Sequence, residues 1–245
     1  MVHGEVLVEK CMKIEDEEGV QKGFEEKVRE VLNEIEVAKK CEDPNLLRMK
    51  GVNIEPLILV YEYCSEGSLY DVLSKIRLTD DEKLGLSIDV SRGVKALHLK
   101  NFIHRDIKSP NVLIKRENGK LRSVLADFGL CSSGKEKDEA RNFNPIWTAP
   151  EVLQGKKCSF KSDVYSLSFV IWEIFTQKRP FGDIQFMAGI YSEVTSGGRP
   201  PLSCVSNEKI KNLCEEGWDE NPHMRPNSCK IVKRLDEINQ KDRSK

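Results

Sequence analysis

Residues 104–111 read His-Arg-Asp-Ile-Lys-Ser-Pro-Asn, and three of these side chains suit phosphoryl transfer. That chemistry needs an oriented nucleophile, a cation against the transferred phosphate and a magnesium ion held nearby. Asp106 would orient a hydroxyl, Lys108 would meet the phosphate, and Asn111 would offer the metal a neutral oxygen. A polar string of this kind is usually only a solvated turn. We favour a catalytic loop because a second acidic motif, beginning with Asp127, follows after one hairpin's length of chain.

Three motifs, taken in order, resemble those of the protein-kinase family. H-R-D-x-x-x-x-N at residues 104–111 is followed by D-F-G at 127–129 and by A-P-E at 149–151. The resemblance runs from about residue 6 to about residue 235, and Lys108 is typical of serine/threonine members. The strings HRDIKSPN and WTAPEV are most similar to the tyrosine-kinase-like branch. The resemblance implies transfer of the ATP γ-phosphate to hydroxyls of protein substrates, with ATP and Mg²⁺ as cofactors and with Asn111 and Asp127 as metal ligands.

Two elements early in the chain are predicted to position the nucleotide. Residues 5–13 have the content of a strand, and the resemblance implies that this strand carries the lysine that pairs with the nucleotide phosphates. One register puts Glu9 at that position and the next puts Lys10 there; we favour Lys10. Apolar residues recur at helical spacing over residues 24–40, and Glu34 on this helix resembles the family glutamate that pairs with the lysine.

The chain departs from the family upstream of this strand. Only residues 3–6, His-Gly-Glu-Val, resemble a remnant of the glycine-rich loop G-x-G-x-x-G-x-V. We therefore expect a small lobe without its first two strands and without that loop. Two explanations stay open, a reduced lid over the phosphates or a Met1 that is not the true start of the functional chain.

The strand predicted over residues 57–61 leads into a segment that resembles the hinge between the two lobes of a kinase. The resemblance implies four further contacts around adenine: Glu62 and Cys64 through their backbones, Leu113 below the ring and Tyr61 behind it. Ser68 would either reach the ribose or cap the helix that begins at Leu69. We favour the cap, because serine before an apolar periodic run is a common N-cap.

The remaining pattern predicts an α+β, two-lobed fold with the active site between the lobes. We assign residues 1–63 to a strand-rich N-lobe and residues 64–245 to a mainly helical C-lobe. The other predicted elements are a strand over 46–49, a helix over 80–99, a hairpin over 111–126 with Asn118-Gly119 at its turn, and a buried helix over 162–175. The hairpin would bring Asn111 and Asp127 to one metal ion.

The polar segment 130–147 resembles a kinase activation segment. Ser132 and Ser133 are candidate phosphorylation sites, and Arg105 would pair with an added phosphate. Asn144 stands where serine/threonine members of the family carry a threonine that bridges the catalytic aspartate and lysine. Substrate positioning is therefore in question at this residue.

Three residues outside the site are predicted to support it. Asp163 lies in an apolar helix and must be paired or hydrogen-bonded there, and the resemblance implies that it holds the backbone of the catalytic loop. Arg225 resembles the arginine that pairs with Glu151.

Composition excludes several other functions. The 39 basic and 40 acidic residues give a net charge of −1, which predicts no nucleic-acid surface. The longest apolar runs are far shorter than the ~20 residues of a membrane span. Eight scattered cysteines without C-x-x-C pairs, and four histidines, favour reduced thiols in a cytosolic or nuclear compartment and no zinc site. Of the two compartments we expect the cytoplasm. The expected partners are ATP and a protein substrate, and the sequence assigns no oligomeric state.

Two function classes stay open. The intact set of Asp106, Asn111 and Asp127 favours an active serine/threonine kinase. The reduced glycine loop, the ambiguous lysine and Asn144 favour a pseudokinase or truncated kinase module that acts as a scaffold. A small-molecule kinase fits less well, because A-P-E and the long segment before it belong to enzymes that dock a protein substrate.

Overall fold

The computed structural model describes residues 6–11, 21–133 and 143–242. The expected remnant of the glycine-rich loop lies outside these residues except for Val6. Strands and the first helices follow one another as β1 (Leu7–Cys11), α1 (Gln21–Lys40), β2 (Met49–Ile54), β3 (Leu57–Glu62), β4 (Gly67–Ser68), α2 (Leu69–Lys75), α3 (Asp80–Leu99), β5 (Val112–Glu117) and β6 (Lys120–Leu125). The later helices are α4 (Pro150–Leu153), α5 (Phe160–Thr176), α6 (Met187–Thr195), α7 (Glu208–Gly217) and α8 (Ser228–Asp242), with short 3-10 turns at Ser109–Asn111 and Leu202–Cys204.

The first sheet is antiparallel, with β3 between β1 and β2. Alternate side chains of a strand point to opposite faces, and in β3 this puts Leu59 and Tyr61 on the buried face. There they form a small apolar cluster with Val31 of α1. In β1, Lys10 lies opposite Leu59.

The prediction of a strand over residues 46–49 is wrong. β2 begins only at Met49 and continues to Ile54. Leu46 instead forms an isolated parallel bridge with Leu125, because the Leu125 amide donates to the Asn45 carbonyl and the Leu47 amide donates to the Leu125 carbonyl, each at 2.8 Å. This segment therefore ties the first sheet to the end of β6.

The predicted hairpin is confirmed as β5 and β6, with a two-residue turn between them. Asn118 and Gly119 both have positive φ, 50° and 77°, as a type I′ turn requires. Pairing of Val112 with Leu125 brings the ends of the hairpin together, and the Ala126 amide donates to the Asn111 carbonyl at 2.9 Å. Asn111 and Asp127 consequently lie side by side although the hairpin separates them in sequence.

The helices α3 and α5 form much of the core. α3 begins with a capping box between Thr79 and Glu82 and has the bounds that the sequence predicts. α5 begins two residues before its predicted start because Ser159 caps it. From Val164 to Ile174 nearly every α5 side chain is buried, so this helix is the central element of the helical region.

The chain thus combines a small sheet-rich region with a mostly helical remainder, which confirms the predicted α+β class. The boundary between residues 63 and 64 stays a prediction. Within the described ranges, no helix has the length and apolarity needed to cross a membrane.

Candidate active site

A cavity of about 370 Å³ lies between the first sheet, α1 and the β5–β6 hairpin. This volume is typical of a pocket for a small ligand or cofactor. Its lining includes most of the residues predicted to form the site: Lys10, Glu34, Glu62, Cys64, Asn111, Leu113 and Asp127. Ala126 and Tyr61 line it as well, so one pocket collects residues from the first strand of the chain to the D-F-G segment.

The structure places Lys10, rather than Glu9, at the centre of this pocket. The Lys10 Nζ atom lies 2.5 Å from Oε1 of Glu34 and 3.3 Å from Oδ1 of Asp127. Burial lowers the pKa of Lys10, but the hydrogen bonds and charges of Glu34 and Asp127 outweigh it, so the pKa is raised. The ammonium therefore stays charged between two carboxylates, as a group that binds phosphate oxygens must.

Tyr61 has a contact that the sequence did not predict. Its hydroxyl donates to Oε2 of Glu34, the carboxylate oxygen that Lys10 does not use. Burial, together with the neighbouring Glu34 carboxylate, raises the pKa of Tyr61, so the hydroxyl keeps its proton. Glu34 is only 2% exposed, and these two donors fix the orientation of its carboxylate. No motif signals this contact, because it depends on the distance between β3 and α1.

The catalytic-loop residues form a compact hydrogen-bonded group beside the cavity. Oδ2 of Asp106 accepts from Nζ of Lys108 at 2.7 Å and from Nδ2 of Asn111 at 2.8 Å. The same Asn111 nitrogen also donates to the Asp106 carbonyl at 2.9 Å. Because its nitrogen is committed to Asp106, Asn111 offers its oxygen to a metal ion.

The loop that carries these residues is held by Asp163 of α5, as predicted. The Asp163 carboxylate accepts the amides of His104 at 2.8 Å and of Arg105 at 3.0 Å. Arg105 has φ of 72°, a conformation that costs free energy in a residue with a side chain. His98 adds a third contact to Asp163 at 2.9 Å. The buried carboxylate therefore fixes the turn that presents Asp106.

The D-F-G segment is anchored on both sides. Phe128 is buried and packs edge-on against the His104 ring, with 5.8 Å between centroids. The Gly129 carbonyl accepts from Nδ2 of Asn33 at 2.8 Å. A Cβ at Gly129 would lie 3.2 Å from Cβ of Glu30, so glycine permits the close approach of α1. Asn33 is a positioning residue that sequence reasoning missed.

The donor set fits a magnesium–nucleotide complex. Asp127 has a side chain that is 46% exposed, and both it and Asn111 line the cavity. A carboxylate and an amide oxygen are hard ligands of the kind that Mg²⁺ prefers, and this ion usually takes its remaining ligands from water and substrate phosphates. Across the described residues, no group of three or more His, Cys, Asp or Glu side chains forms another candidate metal site.

The predicted adenine side is built from the hinge and from β5. Cys64 is buried, and burial raises the pKa of its thiol to about 11, which keeps it neutral. The Glu62 side chain pairs with Nζ of Lys115 at 3.0 Å, and the Glu62 amide donates to the Arg48 carbonyl at 3.0 Å. Leu113 belongs to the cavity lining. It pairs with Ser68, because β4 pairs with β5 in a second sheet formed by β4, β5 and β6.

Ser68 acts as a helix cap. Its Oγ accepts the Asp71 amide at 3.1 Å at the start of α2. Ser68 does not belong to the lining of the 370 Å³ cavity. The capping interpretation is confirmed, and the contact with a ribose stays a prediction.

The segment after D-F-G contains the two candidate phosphorylation sites and Asn144. Ser132 is buried, and its backbone pairs with Ile103 in both directions, whereas Ser133 is exposed. Of the two candidate phosphorylation sites, Ser133 is therefore the accessible one in this conformation. Oδ1 of Asn144 accepts the Ile146 amide at 3.2 Å in a local turn. Residues 134–142, the middle of the predicted activation segment, lie outside the described residues.

The predicted pair of Arg225 and Glu151 is present outside the site. Nη1 and Nη2 of Arg225 donate to the two carboxylate oxygens of Glu151 at 2.6 and 2.8 Å. The Arg225 side chain is fully buried, and its Nε also donates to the Asp219 carbonyl at 2.8 Å. This bidentate pair fixes α4, which contains Glu151, to the helical core.

Comparison with known proteins agrees with this geometry. The sequence profile described as protein tyrosine and serine/threonine kinase matches residues 10–235. The relative named "Probable serine/threonine-protein kinase pats1", from Dictyostelium discoideum, is 35% identical over 209 residues, which cover 82% of this chain and 7% of that protein.

Two plant relatives give the same result. The serine/threonine-protein kinase CTR1 of Arabidopsis thaliana is 32% identical over 84% of this chain and 26% of its own length. The serine/threonine-protein kinase STY17 of the same plant is 30% identical over 87% of this chain and 38% of its own length. The chain therefore spans well under half the length of these relatives.

Proposed function

Because this chain belongs to the protein tyrosine and serine/threonine kinase family, we propose that it transfers the γ-phosphate of ATP to serine or threonine hydroxyls of a protein substrate. The relatives described above are named serine/threonine kinases. Lys108, two residues after the catalytic aspartate, supports the same substrate class.

One observation carries this proposal. Lys10 is paired with Glu34 and Asp127 in the cavity, while Asn111 connects that cavity to Asp106 and Lys108. A nucleotide in the cavity would have its phosphates beside Lys10 and Asp127. The terminal phosphate would then face Asp106 and Lys108, which lie where a substrate hydroxyl must approach.

Each residue has a definite task in this arrangement. Asp106 orients the hydroxyl and accepts its proton, and Lys108 stabilises negative charge on the transferred phosphate. Lys10 holds the other phosphates, and Glu34 with Tyr61 keeps Lys10 in place. Bound Mg²⁺ would be held by Asn111 and Asp127 and would neutralise charge between the phosphates.

Transfer of radiolabelled phosphate from ATP to casein tests the proposal. We expect the wild-type chain and the Asp183→Asn variant, which changes an exposed aspartate far from the site in sequence, to label casein. Asp106→Asn should reduce labelling by about a hundredfold to ten-thousandfold, the usual contribution of a general base. Equal labelling by both variants would refute the role of Asp106.

A scaffold function is the second candidate, and the Asn144 turn favours it. The Asn144 side chain oxygen is engaged with the Ile146 amide, whereas an active member of the family would use this position to bridge the catalytic aspartate and lysine. Thermal unfolding with ATP and Mg²⁺ separates the two functions. A melting temperature that rises with nucleotide, and that loses this rise in Lys10→Ala, supports the kinase; no response at millimolar nucleotide supports the scaffold.

A further inference from the structure

A second cavity, with a volume of about 630 Å³, lies between the end of α1, residues 42–49, the end of β3 and β5. It is larger than the 370 Å³ cavity that we assign to the nucleotide. Leu47 and Glu62 line both cavities, so a single wall separates them. The phosphoryl-transfer chemistry described above uses none of the other side chains of this second cavity, which we call the rear cavity.

Part of the lining of the rear cavity is apolar. Ala38 comes from the end of α1, and Leu46 and Met49 come from the residues that lead into β2. Cys41 also lines the cavity, is 8% exposed and is a free thiol. Burial raises the pKa of this thiol above its ordinary value, so it stays uncharged at neutral pH. These residues favour contact with methylene groups, because burying such groups removes apolar surface from water.

The charged part of the lining carries more acids than bases. The described residues contribute four carboxylates and two cations: Glu42, Asp43, Glu62, Glu117, Arg48 and Lys115. The Lys115 ammonium lies 3.0 Å from Oε2 of Glu62 and 3.0 Å from Oε1 of Glu117. Burial lowers the pKa of Lys115, but its hydrogen bonds to these two glutamates outweigh it, so the pKa is raised. Because Lys115 is already paired with two carboxylates, the cavity as a whole favours a cation over an anion.

The spacing of these acids distinguishes between two kinds of cation. Asp43 uses Oδ1 to accept the Asn45 amide at 2.9 Å, and Glu42 is exposed to solvent. Across the described residues, no three His, Cys, Asp or Glu side chains converge as they would around a metal ion. The negative charges are therefore spread around the rear cavity. This distribution fits an elongated organic ligand with more than one cationic group better than a metal ion, which needs its ligands at one point.

We propose that the rear cavity binds an aliphatic polyamine, a chain of methylene groups that carries several ammonium groups. The methylene groups would lie against Ala38, Leu46 and Met49, which line the cavity together. The ammonium groups would pair with the carboxylates of Glu42 and Glu117. This site is independent of the proposed function, because neither ATP nor a protein substrate takes part in the binding.

Isothermal titration calorimetry of the nucleotide-free chain with spermidine tests the site. Spermidine is a trivalent cation at neutral pH, and hexaamminecobalt(III) is a control ligand with the same charge and no methylene groups. We expect saturable binding of spermidine, with the cobalt complex about tenfold weaker or more, since it has no apolar surface to bury. Equal affinities would show only a general attraction of cations to acidic side chains and would overturn the proposal. The absence of saturable spermidine binding would also overturn it.

Two glutamate substitutions locate the binding in the rear cavity. Glu117→Gln removes one charge while Lys115 keeps its ion pair with Glu62, and the affinity for spermidine should fall about threefold. Adding Glu42→Gln should bring the loss to about tenfold. Glu55→Gln is the matched control, because Glu55 is exposed between β2 and β3 and does not belong to the lining. If the double variant binds spermidine as tightly as this control, the site lies elsewhere and the proposal is wrong.

Filling the rear cavity gives an independent test. Ala38→Phe places a ring in the space that the methylene groups would occupy and leaves every charge of the lining in place. We expect saturable spermidine binding to disappear, with circular dichroism showing that the variant is folded. Wild-type affinity in the folded variant would contradict the proposal. If Ala38→Phe does not fold, Ala38→Leu carries the same comparison with a smaller fall in affinity and the same two outcomes.

Discussion

The two walls of the active site are stabilised in different ways. On the nucleotide side, Lys10 and Asp127 have side chains that are 40% and 46% exposed, and their ion pairs lie open to the cavity. On the helical side, Arg225 is fully buried and Glu173 is 2% exposed, each with its polar atoms hydrogen-bonded. Exposed ion pairs contribute little to folding, whereas breaking a buried one is costly.

The apolar packing shows the same contrast. Among the residues that the structure describes, the cluster between α1 and the first sheet has three buried members, Val31, Leu59 and Tyr61. A separate and much larger cluster runs through α3, α5, α7 and α8. The helical side thus provides a fixed frame for Asp106, and the nucleotide side is assembled from polar contacts that a nucleotide can complete. Substitutions on the helical side should therefore mainly lower the free energy of unfolding. Substitutions on the nucleotide side should mainly change the response to ATP.

Removing a buried charge on the helical side should give the largest effect. Arg225→Met leaves the Glu151 carboxylate without its bidentate partner, and we expect a loss of about 3–5 kcal/mol in the free energy of unfolding. Urea denaturation measures this change. Lys230→Met is the control, because Lys230 is exposed and lies 4.0 Å from Glu216. If the two variants have the same free energy of unfolding, the two walls of the site are not stabilised in different ways.

The pH dependence of stability should report on Glu173. Its pKa is about 8 in the folded chain, against an ordinary value of 4.5, so the folded state retains a proton that the unfolded state loses. The resulting stabilisation is complete below about pH 4.5 and disappears as pH rises through about 8, by up to roughly 2–3 kcal/mol between pH 6 and 8. Glu173→Gln should lack this component in urea denaturation. If the free energy of unfolding depends on pH in the same way in the wild type and in Glu173→Gln, the raised pKa of Glu173 is contradicted.

Loss of the lysine on the nucleotide side should have a smaller effect on folding. Lys10→Met removes the partner of the buried Glu34 carboxylate, but the Tyr61 hydroxyl still donates to Glu34, so we expect a loss of about 1–2 kcal/mol in the free energy of unfolding. The thermal shift caused by ATP and Mg²⁺ should nevertheless disappear. Lys75→Met serves as the control, since Lys75 is 70% exposed and lies 3.9 Å from Asp71. A retained nucleotide shift in Lys10→Met would exclude Lys10 from phosphate binding.

The smallest effect on stability and ATP affinity is expected for a substitution of Tyr61, at the back of the cavity. Tyr61→Phe removes one hydroxyl and keeps the ring, and the lost hydrogen bond to Glu34 should cost about 1 kcal/mol or less. Because Glu34 then orients Lys10 less well, ATP affinity should fall about fivefold, measured by titration of the thermal shift. Tyr70→Phe changes an exposed tyrosine and should leave affinity unchanged. Identical affinity in both variants would show that the Tyr61 hydroxyl has no positioning role.

Local sequence signals predicted the elements that carry the site. Asn118-Gly119 indicated the hairpin that joins Asn111 to Asp127, because this pair is strongly preferred in a two-residue turn with two positive φ angles. The apolar pattern over residues 80–99 predicted α3, and the structure adds the Thr79 cap at its start. The register of β1 could not be chosen from its residues, because its two readings differ by one position and only contact with Glu34 distinguishes them.

Local sequence signals do not predict contacts between residues that lie far apart in the sequence. Glu173 reads as one acid in an apolar helix, and its hydrogen bonds with Ser109 and Trp147 appear only in the folded chain. Leu46 read as a strand because it is apolar, yet its neighbours bond to Leu125, which only the folded chain places beside them.

The most direct test of the account is the magnesium-dependent thermal shift with ATP, measured for Asp106→Asn and Asp127→Asn beside the wild-type chain. Both variants should lose phosphoryl transfer, but for different reasons. Asp106→Asn should keep the full nucleotide shift, because Asp106 faces the substrate hydroxyl, and Asp127→Asn should lose the part that depends on Mg²⁺. The same shift in both variants, whether kept or lost, would contradict a site in which Asp127 holds the metal and Asp106 the nucleophile.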